Sequence, residues 1–445
     1  MRSKRLLTAA AVALGAALSL TASASAQMGK RFPSEKKSID DPITGEPLTF
    51  LTSSSAADSK LYQTHQCWTI DGKWIVFRST RDQGPQAYAV NEDSGEIVQL
   101  TEGEGNNFGS GAINLSWKSN HLFYSRVVDN RLCIFELDLG GLLADSQANA
   151  VKSKETYERL CGKLGEGFTL SGGFGLDANE DWVYIGCKGG DTGTHLPPGT
   201  KIEPNFGPRQ PPLGAGPSGL RAMNVKTGEV KVVIDMPFQC GHVQANPFNP
   251  GEIIYCWETG GKARTRAWVV NADGSDNRPI YDELPTDWVT HEAVIGKDEV
   301  ALAIMGHQQI GGQSGWGPNG TRQYATGLAV VNLRTKAMRI EAQTDSGSGL
   351  WHVNGSYDGR WLVGDDFSRS VYLIDRKSHE MIMLSTGHKE TAADHPHPIF
   401  NRDGTKILIQ SAMITPEGSG GNMDLCLMPV PKTWLNRTYS QKVPE

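Results

Sequence analysis

The sequence predicts an all-β chain folded as a seven-bladed β-propeller. Helical periodicity is almost absent, and short β-rich runs come in pairs that recur seven times. Histidines stand just ahead of the first run in most of these repeats, which says where a site should lie.

The first run of each pair follows a polar turn. The series is Lys73-Trp-Ile-Val-Phe-Arg-Ser79, His121-Leu-Phe-Tyr-Ser125, Trp182-Val-Tyr-Ile-Gly186, Glu252-Ile-Ile-Tyr-Cys-Trp257, Glu299-Val-Ala-Leu-Ala-Ile304, Arg360-Trp-Leu-Val-Gly364 and Lys406-Ile-Leu-Ile-Gln410. The second runs are Ala87–Val90, Cys133–Leu137, Leu220–Asn224, Ala267–Asn271, Leu328–Asn332, Val371–Asp375 and Leu425–Pro429, most of them leading into a hairpin signal such as Lys226-Thr-Gly-Glu229. The repeats are roughly 45 to 70 residues apart, against a usual blade period of about 40 to 50. Two Gly-, Pro- or polar-rich insertions, 191–218 and 308–326, account for the long intervals and read as surface loops. A blade buries its faces only against its neighbours, so residues 27–445 are expected to form one closed unit. The segment 44–52 precedes the first blade and is placed to add an outer strand to the last one, which removes an open sheet edge.

Residues 1–26 read as a secretory signal peptide: a basic start at Met1-Arg-Ser-Lys-Arg5, an Ala/Leu-rich stretch, and Ala24-Ser-Ala26 at the end. That stretch is short for a bilayer, which needs ~20 apolar residues, and no second one of that length follows, so a soluble periplasmic or secreted protein is expected. The net charge of -6 is spread over both signs and leaves no basic stripe for nucleic acid. The seven cysteines show no CxxC or other metal-like spacing, and Cys133, Cys256 and Cys426 sit in apolar runs that suit core thiols. The sequence leaves oligomeric state open.

Innermost propeller strands surround the axis, so equivalent positions in successive blades converge. His65, His242, His291, His352 and the pair His395-Pro-His397 occupy such positions in five blades. A lone histidine at a strand start is more often hydrogen-bonded structure than ligand, which applies above all to His65 and His242. The period-two spacing of His395 and His397 puts both imidazoles on one side of a strand. With His352 from the neighbouring blade they make a three-imidazole set for a divalent ion such as Zn, Ni, Cu or Fe, or Mn where substrate oxygens complete the sphere. His121, His195, His307, His379 and His388 fall in turns, insertions or outer runs.

At these residues the chain resembles the oligogalacturonate lyases of polysaccharide lyase family 22, from Gly29-Lys30 to Ile409-Gln-Ser411. The most specific pieces are Arg266-Ala-Trp-Val-Val-Asn-Ala-Asp-Gly274, Thr290-His-Glu292, Trp351-His-Val-Asn-Gly-Ser-Tyr-Asp-Gly359 and His395-Pro-His-Pro398. The resemblance implies a seven-bladed propeller, a uronic-acid oligosaccharide substrate, cleavage by β-elimination, and a divalent ion, typically manganese, held by three His and one Gln. It places the metal on His352, His395 and His397, the base at His291, and a catalytic and substrate-binding arginine at Arg266, with His242 a further candidate for contacting substrate. The Gln position is Ala392 here, a departure that leaves the fourth ligand to water, Asp394 or another nearby side chain. Two other readings stand beside this one: a non-catalytic binding propeller of the periplasmic TolB type, and a lyase for a different uronate. A hydrolase on the same scaffold is a third.

Overall fold

A computed structural model describes residues 27–439 except 83, 107, 110, 206–212, 260–264, 285–286, 306–325, 345–348, 390 and 417. Residues 1–26, which the sequence reads as a signal peptide, His307 and nearly all of the 308–326 insertion therefore lie outside the described residues.

Seven antiparallel sheets follow one another in chain order, each with its first strand innermost. Five are four-stranded, and blades 1 and 7 are five-stranded, blade 1 with one strand and blade 7 with two from the N-terminal segment. All seven predicted first runs and all seven second runs are strands, paired in register within their blade; in blade 6, for example, Trp361–Asp366 pairs with Val371–Asp375. Alternation along these runs is weak because both faces of a blade are covered by neighbours. The apolar clusters lie between blades: one joins blades 2 and 3 through Phe123, Ile134, Phe174 and Ile185, another blades 5 and 6 through Ala301, Leu328, Leu350 and Leu362. The largest unites residues of blades 7, 1 and 2 and so seals the circle.

Ring closure uses the strand Pro47–Phe50, which pairs with Asp424–Pro429 of blade 7, as expected for the segment 44–52. Lys37–Asp40 pairs outside it, and Arg31–Phe32 runs on to the outer edge of blade 1. One N-terminal segment thus ties two blades together.

Helix is confined among the described residues to Leu139–Gln147, Lys432–Leu435 and a single 3-10 turn; none is long and apolar enough to cross a membrane. The nine-residue helix is capped by Asp138, whose carboxylate accepts the Gly141 N–H. All seven cysteines are buried free thiols, in keeping with the core role expected for Cys133, Cys256 and Cys426.

The innermost strands carry the feature that shapes the axis. Pairing slips between Leu170 and Phe174 in blade 3, Gly241 and Gln244 in blade 4, Thr290 and Ala293 in blade 5, and Leu350 and Val353 in blade 6. Each slip is a bulge, a device that re-aims a side chain. In blade 3 the bulge holds Gly172 and Gly173, both with left-handed backbone. In blades 4, 5 and 6 it holds His242, His291 and His352.

Candidate active site

His242, His291 and His397 have φ of 48°, 53° and 50°. A side chain in this left-handed region costs roughly 1–2 kcal/mol, so three histidines held there around one axis mark a constructed site. The glycines opposite take up the backbone side of the same ring: a Cβ on Gly172 would meet the Gly241 Cα at 2.5 Å, and one on Gly173 the Gly111 Cα at 2.7 Å. Blades 2 to 4 thus close on each other through bare backbone, and the imidazoles gather on the remaining side.

Ring centroids run in a continuous chain: His242 to His291 5.6 Å, His291 to His352 4.2 Å, His352 to His397 3.6 Å, and His352 to His395 5.3 Å. Trp351 stands edge-on to His291 at 4.5 Å and is flanked by Trp288 and Phe367, an aromatic wall beside the imidazoles. Further along the axis lies a cavity of about 30 Å³ lined by Thr64, His65, Asn114, Gln244 and Tyr357, among others. Trp117, Phe248 and Tyr357 from blades 2, 4 and 6 meet with centroids 4.9 to 6.4 Å apart, and the Arg402 guanidinium covers Trp117.

Five of the six predicted histidines therefore meet; His65 does not join them. Blade 1's inner strand stops at Lys60, and the chain turns through Tyr62–His65 before pairing resumes at Trp68. The His65 ring donates from Nε2 to the Phe174 carbonyl at 3.0 Å and accepts from Thr64, stapling blade 1 to blade 3. Burial pushes its pKa down to about 4, so it is a neutral structural group. His388 is likewise structural, but it is buried at 1% exposure and bonded to Ser411, not lying on an outer run.

Two of the three proposed ligands, His352 and His397, sit on supports that sequence reading missed. Asp365 accepts the His352 main-chain N–H at 2.8 Å and its Nδ1–H at 3.1 Å, and through its other oxygen the His397 main-chain N–H at 3.0 Å. The His397 Nδ1 donates to Gln63 Oε1 at 2.8 Å. Each contact commits Nδ1 and turns Nε2 outward, the arrangement typical of metal-bound imidazole. His397 Nε2 and His395 Nδ1 are buried nitrogens without an aligned hydrogen bond, and donor atoms of His352, Asp365 and His395 all lie within 4.8 Å of one another. This donor set fits a divalent cation. Ala392 packs with Ala412 and Met423 and offers no donor, whereas an Asp394 carboxylate oxygen lies 3.1 Å from His397 Nε2. Burial tends to raise the Asp394 pKa, but the His397 contact and the surrounding imidazoles outweigh it and hold the group below the usual carboxylate range.

His291 Nδ1 lies 2.7 Å from the Trp351 carbonyl, which can only accept; the ring proton is therefore on Nδ1 and the lone pair on Nε2. Burial first, then the neighbouring imidazoles and Arg266, push its pKa well down, so the imidazole is neutral. Arg266 is buried, and its two terminal nitrogens hold Glu258 at 3.2 Å each. Glu258 lies 3.5 Å from His242 Nε2, and Glu292 lies 3.3 Å from His242 Nδ1.

Comparison with known proteins gives a consistent answer. An oligogalacturonate lyase of Dickeya dadantii is 22% identical over 415 residues, spanning 86% of this chain and 94% of that protein. The chain resembles the oligogalacturonate lyases. An oligogalacturonide lyase of Pectobacterium atrosepticum is 21% identical over the same share. Among solved structures, an oligogalacturonate lyase in complex with manganese superposes with a TM-score of 0.71 at 20% identity, over 92% of this chain and all of that one. An oligogalacturonate lyase from Vibrio parahaemolyticus follows at 0.70 and 21%. No family model matches the chain.

Proposed function

We propose that this chain is an exported lyase that cleaves uronic-acid oligosaccharides, oligogalacturonate first among them, by β-elimination to 4,5-unsaturated products. The observation that carries the reading is the neutral His291 imidazole, with Nε2 free and its ring 4.2 Å from the His352 ring of the cation-binding set. Its relatives and its fold neighbours of known activity act on the same substrate class.

The difficulty of the reaction is the C5 proton, poorly acidic beside a carboxylate that is already negative. His352, His395 and His397, with Asp394 as oxygen donor, would hold a divalent ion, manganese in the related complex. When bound, that ion supplies positive charge to the uronate carboxylate. The chain's own residues do the rest. His291 Nε2 takes the C5 proton, a contribution of ~10²–10⁴-fold for a positioned base. Its Nδ1–H stays on the Trp351 carbonyl throughout, which fixes the ring plane. Arg266, a permanent cation oriented by Glu258, adds a second positive centre toward which charge develops. Trp351, Trp288 and Phe367 offer apolar faces to the sugar, and the Trp117–Phe248–Tyr357 cluster narrows the channel beyond the site.

The test is product absorbance in the ultraviolet band of an unsaturated uronate, using di- and trigalacturonate with added manganese or chelator. A metal-dependent rise that disappears in His291→Ala supports the lyase. Cleavage without that absorbance assigns a hydrolase, and no cleavage of any uronate oligosaccharide by folded protein leaves the binding propeller.

A further inference from the structure

Elimination leaves one demand that the base does not meet. As the C5–H bond breaks and its electron pair becomes the C4=C5 double bond, the C4–O bond breaks and the departing sugar oxygen needs a proton. We infer that His242, charged and oriented by Glu292, delivers that proton; the inference rests on the lyase reading above.

The argument starts from Glu292. Its carboxylate is completely buried, yet neither oxygen has a hydrogen-bond partner. A buried carboxylate in that condition is costly unless a cation stands beside it. The His242 imidazole stands there, its Nδ1 3.3 Å from Glu292 Oε1, and Arg266 is near enough to act on the same carboxylate. On its other side His242 Nε2 lies 3.5 Å from Glu258 and 3.3 Å from the Tyr62 hydroxyl. The groups facing His242 are thus Glu258, Glu292, Arg266 through Glu258, the Tyr62 hydroxyl, His291 and, farther off, His65, with the buried Cys256 thiol behind Glu258. Two carboxylates thus flank the His242 ring, an arrangement suited to hold a proton on it. The same three groups, His242, Cys256 and Glu258, are near enough to hold a cation, but the bidentate Arg266 already occupies Glu258 and argues against a metal there.

His291 has the opposite surroundings: a carbonyl on Nδ1, a neighbouring imidazole set and, among the described residues, no carboxylate contact. Two histidines with nearly parallel rings 5.6 Å apart are thus placed in unlike environments, one suited to accept a proton and one to give it. The strained backbone at both residues points the same way, since each is held in a bulge that fixes where its ring goes. In the balanced step the C5 proton passes to His291 Nε2, the C4 oxygen takes the proton from His242 Nε2, and solvent restores both rings. Glu292 is a positioning residue that acts through His242.

The test compares two leaving groups at C4 of a galacturonate: a sugar, as in digalacturonate, and para-nitrophenoxide, which departs without a proton. In both His242→Gln and Glu292→Gln, elimination of the sugar should fall by on the order of 10²-fold or more, while release of nitrophenoxide stays within about threefold of wild type. His291→Ala should lose both. Equal losses on the two substrates, or no loss on either, overturn the inference, because binding or packing defects do not discriminate by leaving group. Wild-type protein inactive on both substrates overturns the lyase reading itself. Thermal midpoints of the variants are read alongside; should Glu292→Gln fail to fold, the His242→Gln comparison decides.

Discussion

Asp365 holds His352 twice, by main-chain N–H at 2.8 Å and ring Nδ1–H at 3.1 Å, from the next strand of the same blade. The bulge between Leu350 and Val353 opens the backbone N–H that makes this double contact available. Because the same carboxylate also takes the His397 N–H, it fixes the relative placement of two rings from different blades.

Asp365→Asn keeps the shape but cannot accept at every one of these donors. Manganese affinity should therefore fall roughly 10- to 100-fold, the usual effect of removing a partner behind a metal-bound imidazole. Calorimetric titration of metal-free protein measures it, and an unchanged affinity would show that Asp365 does not orient the ligands.

Asp394 is the proposed fourth donor. Its oxygen lies 3.1 Å from His397 Nε2, whereas Ala392 packs among apolar side chains. Asp394→Ala should weaken manganese binding by at least about tenfold, removing one charged oxygen from the set. The thermal midpoint without metal should change little, since the residue is in a loop ahead of the short strand Ile399–Phe400. Equal manganese affinity in variant and wild type would return the fourth position to water.

Gly172 separates conformational strain from crowding. A Cβ there would lie 2.5 Å from the Gly241 Cα and 3.0 Å from the His242 nitrogen, with φ at +79°. Gly45 has nearly the same φ, +74°, and nothing within 4 Å. Gly45→Ala should cost only the left-handed penalty of ~1 kcal/mol, whereas Gly172→Ala should cost at least about twice that and shift His242. Denaturant midpoints of the two variants give the comparison, and similar values for both would mean that blades 3 and 4 can separate freely there.

The blade count was legible because each blade repeats the same pair of apolar strands, and the converging histidines because they recur ahead of the first run of their own blades, three of them at a repeated bulge. His65 has the structural role expected for it but does not converge with the others, because Tyr62–His65 turns where the other inner strands continue, and nothing in Gln63-Thr64-His65 differs in polarity from a strand start. Asp365 and Glu292 do leave a signal: each is a carboxylate inside a strand that is buried almost throughout, Trp361–Asp366 and Trp288–Gly296. A buried acid at such a position asks for a partner. Gln63 left none, since its contact with His397 crosses from blade 1 to blade 7 and joins residues far apart in sequence.

The ring closure has its own titrating group. Burial, reinforced by the charge of Asp58, pushes the Asp424 pKa up to about 7, against the opposing hydrogen bonds from Thr415 and Thr52. An unfolded aspartate titrates near ~3.9. Between these values the folded state keeps the proton that the unfolded state has lost, so stability is full below about pH 4 and falls as pH rises through 7. One pKa unit corresponds to ~1.4 kcal/mol, so the loss is on the order of a few kcal/mol, shared with Asp58 and its Arg81 partner. Thr52 leads out of the strand that closes the circle, and its hydroxyl contacts this carboxyl, so the loss falls on the junction of blades 7 and 1. Asp424→Asn keeps a neutral group of the same size and should flatten the decline. Denaturation midpoints at pH 5 and pH 8 should drop more for wild type than for the variant; parallel drops would assign the pH dependence to another group.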